Sequence, residues 1–232
     1  MSKIVLITGA NKGLGFEAAR RLAQLGHTVL VGSRDADRGR KAAAEIGGRF
    51  VALDVTDDAS VAAAAADVTA VEGRLDVLIN NAGIAGPQTQ ATELAAGEAV
   101  QVFETNVIGI VRTTGAFLPL LRAGTDPAVV NVSSGLGSQA LTHDPNRIES
   151  SVVAPLYNAS KAAVTMMTVQ YAKAFPGIRF NAVDPGYTAT DLNGHSGPQT
   201  VTEGTDAIVT CATEEPGAGT GRYLDRFGPL PW

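Results

Sequence analysis

Tyr157 and Lys161 stand four residues apart in the stretch YNASK, residues 157–161. On a helix the two side chains lie one above the other on the same face. A phenol with a pKa near 10 is a poor acid or base at neutral pH until a neighbouring cation stabilises the phenolate. Lys161 is placed to do that, and its remaining ammonium protons can hold ribose hydroxyls. The other lysines are Lys3, Lys12, Lys41 and Lys173, and the chain has four tyrosines. Chance therefore also makes such pairs, and spacing alone decides nothing. The pair must be judged by its company.

TGANKGLG, Thr8 to Gly15, is the first companion. Gly9, Gly13 and Gly15 would allow a tight turn and close approach of backbone amides to a pyrophosphate. A helix starting there adds orphan N–H donors and a positive dipole end. The spacing is GxxxGxG, not the more widespread GxGxxG, and a plain strand-to-helix turn is the competing reading. VGSRD, Val31 to Asp35, falls where a dinucleotide fold meets the adenosine ribose, and an acidic side chain there selects NAD. Ser33 and Arg34 instead offer a hydroxyl and a guanidinium, which suit a 2′-phosphate, with Lys12 as a second converging cation. Asp35 could bind the ribose, or it could cap a helix beginning at Ala36. The charge argument favours NADP(H). In LDVTDD, Leu53 to Asp58, Asp54 could accept from an adenine amino group while Val55 supplies an amide, and Thr56 is the better candidate to cap the following helix. NNAG, Asn80 to Gly83, would let the chain pass close under a cofactor and knit adjacent strands through its amides. VVNVSSGLG, Val129 to Gly137, brings hydroxyls to the same crevice.

The elements that must position these groups are readable from pattern. Short β-branched runs at Ile4–Thr8, Thr28–Gly32, Arg49–Asp54, Val77–Asn80, Ala128–Val132, Ile178–Val183 and Arg222–Asp225 predict seven strands. Helical patterns cover Leu14–Leu25, Ala36–Ile46, Asp57–Glu72, Glu93–Leu121, Leu156–Phe175 and Val201–Thr213. Runs such as IVLI and VVNV suit strands buried on both faces of a parallel sheet. The alternation, with no Pro/Gly-rich linker, predicts one doubly wound α/β domain over residues 1–232: a Rossmann-type, mostly parallel seven-stranded sheet with helices on both faces. Two long loops, Ser133–Ala154 and Pro185–Thr200, follow strand C-termini, where such sheets bind ligands.

Bulk composition narrows the classes. Of 232 residues, 45% are hydrophobic and 18% charged, enough core and too little charge for a disordered chain. A net charge of −5 disfavours a nucleic-acid binder, so an anionic ligand must be held by a local site. Cys211 is the only cysteine, which excludes an intrachain disulfide and a cysteine-rich zinc site. The apolar core of MSKIVLITGA is too short for a signal peptide or membrane span, and a soluble cytoplasmic protein is expected. His27, His143 and His195 are dispersed and give no metal pattern. His27 reads as a surface residue, and the other two as loop residues near the expected site.

In order along the chain, TGANKGLG, NNAG, Asn106, Ser134, YNASK and DPGYTAT resemble the short-chain dehydrogenases/reductases of the standard, non-extended form. The lysine in the glycine loop and the arginine after the second strand are similar to those of NADPH-dependent carbonyl reductases. The resemblance covers essentially the whole chain. It implies that Tyr157 protonates the carbonyl oxygen, that Ser134 (rather than Ser133, since Gly137 follows by three) holds that oxygen, and that Lys161 lowers the tyrosine pKa and binds the nicotinamide ribose. Asn106 would kink the long helix and hold a water linking Lys161 to solvent. Cofactor contacts are implied at Gly9, Asn11, Lys12, Gly13, Leu14, Gly15, Ser33, Arg34, Asp54, Val55, Asn81, Ala82, Gly83, Tyr157 and Lys161. Further along, Pro185 and Gly186 would turn beneath the nicotinamide carboxamide, Thr188 would offer backbone contact, and Thr190 would approach the diphosphate. Residues 191–198 would form a mobile substrate lid.

One departure is the 23-position separation of Ser134 and Tyr157. The extra segment, with His143, Asp144, Pro145, Asn146 and Arg147, would form part of the substrate entrance and could interfere with a usual subunit contact. The expected activity is NADPH-dependent reduction of a small ketone or aldehyde, or the same chemistry run as an alcohol dehydrogenase; an NADP-binding redox regulator is the alternative from another class. A homodimer or homotetramer would pack through Phe103, Val107 and Ile110, unless that face covers its own sheet.

Overall fold

The fold is described by a computed structural model covering residues 2–86 and 91–232. Eight strands, β1 Ile4–Thr8, β2 Thr28–Ser33, β3 Arg49–Ala52, β4 Val77–Asn80, β5 Ala128–Val132, β6 Arg179–Val183, β7 Arg222–Asp225 and β8 Gly228–Pro229, form one sheet in the order β3-β2-β1-β4-β5-β6-β7-β8. Pairing is parallel from β3 to β7, and the reversal of order lies between β1 and β4. The eighth strand corrects the expected seven. It pairs antiparallel with β7 after a tight turn in which Asp225 Oδ1 accepts from the amides of Phe227 (2.7 Å) and Gly228 (3.0 Å). Two residues carry no strand periodicity, so pattern could not announce it.

Alternate side chains of the buried strands feed two cores, as a pleat requires. Val5, Ile7, Val29 and Val31 pack with Leu22 and Ile208 on one face; Leu6, Leu30 and Leu78 pack with Val68, Phe117 and Phe180 on the other. The covering helices are α1 Gly13–Gln24, α2 Ala36–Ile46, α3 Asp58–Val71, α4 Ala96–Phe103, α5 Gly109–Arg122, α6 Gln139–His143, α7 Pro155–Ala174, α8 Val201–Gly204 and α9 Asp206–Thr213. Asp35 caps α2 by accepting from Arg38 N at 3.0 Å. Asp57, not Thr56, caps α3 through Ala59 N; Thr56 donates instead to Asp54 Oδ1 at 2.7 Å.

Two expected helices are broken. The span 93–121 opens with a 3₁₀ turn at Ala91–Glu93 and is interrupted by a π-helical turn, Glu104–Ile108, between α4 and α5. The span 201–213 divides at Thr205 into α8 and α9. The expected loop 133–154 contains α6 and two 3₁₀ turns, Gly135–Gly137 and Ile148–Ser151. Along α4, the π turn and α5 the large apolar residues left exposed are Val100, Ile108 and Val111, while Ile110 is buried within its own chain, in line with the alternative that this face covers its own sheet. Among the described residues, no helix is long and apolar enough to cross a membrane.

Candidate active site

The C-terminal ends of β1, β4, β5 and β6 converge on one crevice. Thr8 joins two of them: its hydroxyl accepts from the amides of Asn81 (3.0 Å) and Ala82 (2.9 Å), while Asn81 Nδ2 donates to Thr8 O at 2.9 Å. This places Asn81, Ala82 and Gly83 against the glycine loop. Gly9 and Gly13 adopt φ of 65° and 56°, which disfavours any residue with a Cβ. A Cβ on Gly15 would stand 2.4 Å from Asn81 Nδ2, so the loop and the β4 end are in close contact. Helix α1 has neither a side-chain cap nor an acidic residue in its first turn, unlike α2 and α3 with Asp35 and Asp57. Its N-terminal amides therefore remain available to an anion, and the loop of Gly9, Asn11, Lys12, Gly13, Leu14 and Gly15 fits a dinucleotide pyrophosphate.

At the β2 end, Arg34 is exposed, while Ser33 is buried with its hydroxyl donating to Asp35 O at 2.9 Å. Ser33 thus braces its own turn and is not presented to the crevice, correcting the expected phosphate contact. Asp35 is occupied by its cap and an ion pair with Arg38. Lys12 Nζ is paired with Asp191 Oδ2 at 2.7 Å, which ties the glycine loop to the lid. Asp54 keeps one carboxylate oxygen on the Thr56 turn, and Val55 is buried beside Gly109. Thr190 lies by Gly13, with Cγ2 3.9 Å from the position a Cβ there would take. Thr188 is buried and internally bonded, its hydroxyl donating to Pro185 O at 2.9 Å and its carbonyl accepting from Asn193.

The catalytic candidates come together. Pro155 begins α7, and Tyr157 and Lys161 follow on one face, the ammonium 5.6 Å from the centre of the phenol ring. The Ser134 hydroxyl stands close enough to the Tyr157 phenol to favour its ionised form. Ser133 turns the other way and donates to Lys161 O at 3.1 Å, so Ser134 is the serine that faces the phenol. Lys161 Nζ donates to Val132 O at 2.8 Å. Burial pushes the Tyr157 phenol up to about 12, against the lowering effect of Ser134. Burial pulls Lys161 down to about 8, while the Asp184 carboxylate raises it. The phenol therefore stands above its ordinary value, where the resemblance implied lowering by Lys161: desolvation and, after it, the Asp184 carboxylate raise it.

Asn106 sits in the π turn, with Oδ1 accepting from Ile84 N (2.8 Å) and Nδ2 donating to Ile84 O (2.9 Å) and Ser160 Oγ (3.0 Å). Its side chain locks the β4 exit to α7, so any water it holds would meet its main chain. His27 is half-buried and accepts from Lys3 N at 3.1 Å; it is not the free surface residue expected. His143 bonds Gln139 O, and His195 bonds Asp191. Among the described residues, no three His, Cys, Asp or Glu side chains gather as a metal site.

Sequence reading missed three supports. Tyr223 donates to Ser134 O at 2.6 Å, and its ring stacks on Trp232. Asp184 and Glu149 approach Gly135, the residue after Ser134. Only Asp184 lay inside a stretch with a recognisable pattern, DPGYTAT; the other two carry no local signal. A cavity of about 310 Å³ opens beside them, bounded by Arg147 and Glu149 of the long segment, Asp184 to Tyr187 at the lid, and Asp225 to Phe227.

The sequence model of the family described as short chain dehydrogenase matches residues 3–200. A (-)-isopiperitenone reductase from Mentha piperita is 32% identical, the alignment covering 97% of each chain. An NADPH-bound carbonyl reductase from chicken fatty liver superposes with a TM-score of 0.87 at 28% identity, covering 100% of this chain and 99% of that one. A 3-ketoacyl-(acyl-carrier-protein) reductase from Brucella melitensis complexed with NADH superposes at 0.82 with 28% identity, covering 96% of each.

Proposed function

We propose that this chain, which belongs to the short-chain dehydrogenase family, is an NADPH-dependent reductase of ketones or aldehydes. The observation that carries the reading is the convergence of the Ser134 hydroxyl, the Tyr157 phenol and the Lys161 ammonium, the last 5.6 Å from the phenol ring centre and one helical turn along. The relatives' names include reductases of ketones, and the structural neighbours bind NADPH or NADH. The choice of NADPH rests on charge. Arg34 is exposed at the β2 end beside an Asp35 engaged in capping, and Lys12 is near by on the glycine loop.

The bound nicotinamide would supply the hydride. The chain's own residues do the rest. Glycine-loop amides and the α1 N-terminus hold the pyrophosphate, and Asn81, Ala82 and Gly83 with Pro185, Gly186, Thr188 and Thr190 flank the remainder. Asp54 and Val55 border the adenine. Ser134 holds the substrate oxygen, and Tyr157, kept protonated by burial, gives it a proton. Lys161 carries positive charge at neutral pH, binds the nicotinamide ribose and steadies the phenolate left behind. A phenol held in its protonated form suits reduction better than alcohol oxidation, which needs the phenolate first.

The test is loss of reduced-nicotinamide absorbance when the purified protein meets NADPH, or NADH, and a panel of ketones and aldehydes. Carbonyl-dependent oxidation with preference for NADPH is expected. Tight NADPH binding with no turnover of any carbonyl would leave the redox-regulator reading standing in its place.

A further inference from the structure

Asp184 directly follows β6 and precedes the Pro185–Gly186 turn, and the reaction described above gives it no part. Its carboxylate is buried, with the residue 6% exposed. Oδ1 accepts from Gly186 N at 2.9 Å, and the Gly135 backbone lies near enough to favour the carboxylate's ionised form. A Cβ on Gly135 would lie 2.9 Å from Asp184 Oδ2 and 2.7 Å from Glu149 Oε1, so both acids press against the turn that carries Ser134. Arg147, the guanidinium facing this group, is already paired with Glu149 at 2.8 Å. From β7 and its turn, Tyr223 donates to Ser134 O and Asp225 is held by two amides. From α7, Tyr157 and Lys161 both lie within electrostatic reach of the same carboxylate.

We infer that Asp184 is a positioning residue: it ties the Ser134 turn to the Pro185–Gly186 turn and sets a negative charge behind Tyr157 and Lys161 that holds both in the protonated forms reduction requires. The inference rests on the reading of Tyr157 as proton donor. A carboxylate favours the protonated state of any neighbour, and in a poorly solvated site that influence is stronger than in water. It acts upward on both Tyr157 and Lys161. For Lys161 it opposes burial and keeps the ammonium charged at neutral pH. Glu149 and Asp225 in turn raise Asp184 itself, as does its burial, so the charge is present only above its own elevated titration.

Asp184→Asn removes the charge and keeps one acceptor. In the pH profile of NADPH-dependent carbonyl reduction, the alkaline limb should move toward acid by about one pH unit, with kcat more affected than KM. An unmoved limb, whether or not the rate falls, overturns the inference, because a purely structural role lowers the rate without moving the limb. If the Asn variant does not fold, Asp184→Ser, whose hydroxyl can still accept from one amide, is read by the same criterion. A separate readout needs no turnover. Ultraviolet titration of tyrosinate, with the Tyr157 signal assigned by Tyr157→Phe, must show a lower Tyr157 midpoint in Asp184→Asn than in the natural protein. A natural protein that reduces no carbonyl defeats the proposed activity; an unchanged midpoint defeats this inference.

Discussion

At Tyr157, burial works against the Ser134 hydroxyl, with the Asp184 carboxylate on the side of burial, and burial prevails: the phenol stands at about 12, not below its ordinary value. The sign matters for mechanism, since a proton donor need only hold its proton until the substrate oxygen demands it. Tyr157→Phe keeps the ring over Lys161 and removes only the donor. NADPH affinity, followed by cofactor fluorescence, should change by less than about twofold while kcat drops by at least about 10²-fold; near-normal turnover would end the assignment of Tyr157. Arg34 offers a second residue-scale test because it is exposed and its neighbour Asp35 is committed to a cap. Arg34→Asp should weaken NADPH at least about tenfold and leave NADH within about threefold, the loss of a charge-assisted phosphate contact and its replacement by repulsion. If the preference does not move, Lys12 is the discriminator.

Elements decide how these residues meet, and the lid is tied to the glycine loop by one ion pair. Lys12 and Asp191 are bonded at 2.7 Å with roughly half of each side chain exposed. Such an exposed pair is held weakly and is screened by salt. A 2′-phosphate would have to draw Lys12 from Asp191, so Asp191→Asn should tighten NADPH by about two- to fivefold at low salt without tightening NADH. Equal gains for both nucleotides would show that Lys12 does not reach the phosphate. The same elements show what pattern can and cannot carry. Helix α2 was readable to the residue because Asp35 and the αL Gly47 mark its ends. The π turn at Glu104–Ile108 was foreshadowed only by the resemblance, as a kink at Asn106; the apolar helical pattern continues through it, and Asn106 bonds Ile84, 22 residues away. Ser33 was misplaced for a similar reason: its type suits a phosphate, but only the fold shows its hydroxyl spent on its own turn. Asp184 and Tyr223 acquire their roles only when β6 and β7 are laid beside β5.

Across the whole molecule, the parallel sheet gathers polar groups at the C-terminal edge of its central strands and leaves one ammonium inside. Lys161 is 5% exposed, and its pKa falls from 10.5 to about 8. That gap corresponds to roughly 3 kcal/mol against keeping it charged in the folded state. Between about pH 8 and pH 10.5 the unfolded chain binds the proton more tightly than the folded one. Stability therefore rises with pH through that window, and at or below its lower edge the full cost is present. Tyr157 has the opposite sense, holding its proton in the folded state from its ordinary value of 10.0 to about 12, so stability falls again there. Lys161→Met should thus be more stable than the natural protein near neutral pH. The gain is reduced to about 1–2 kcal/mol by the hydrogen bond lost at Val132 O. Urea unfolding at about pH 7 and about pH 10 checks it. The advantage should be present at the first and mostly gone at the second, with carbonyl turnover lost at both. A variant less stable near neutral pH, or one whose advantage is the same at both, would mean that the fold does not bear this charge for the sake of its chemistry.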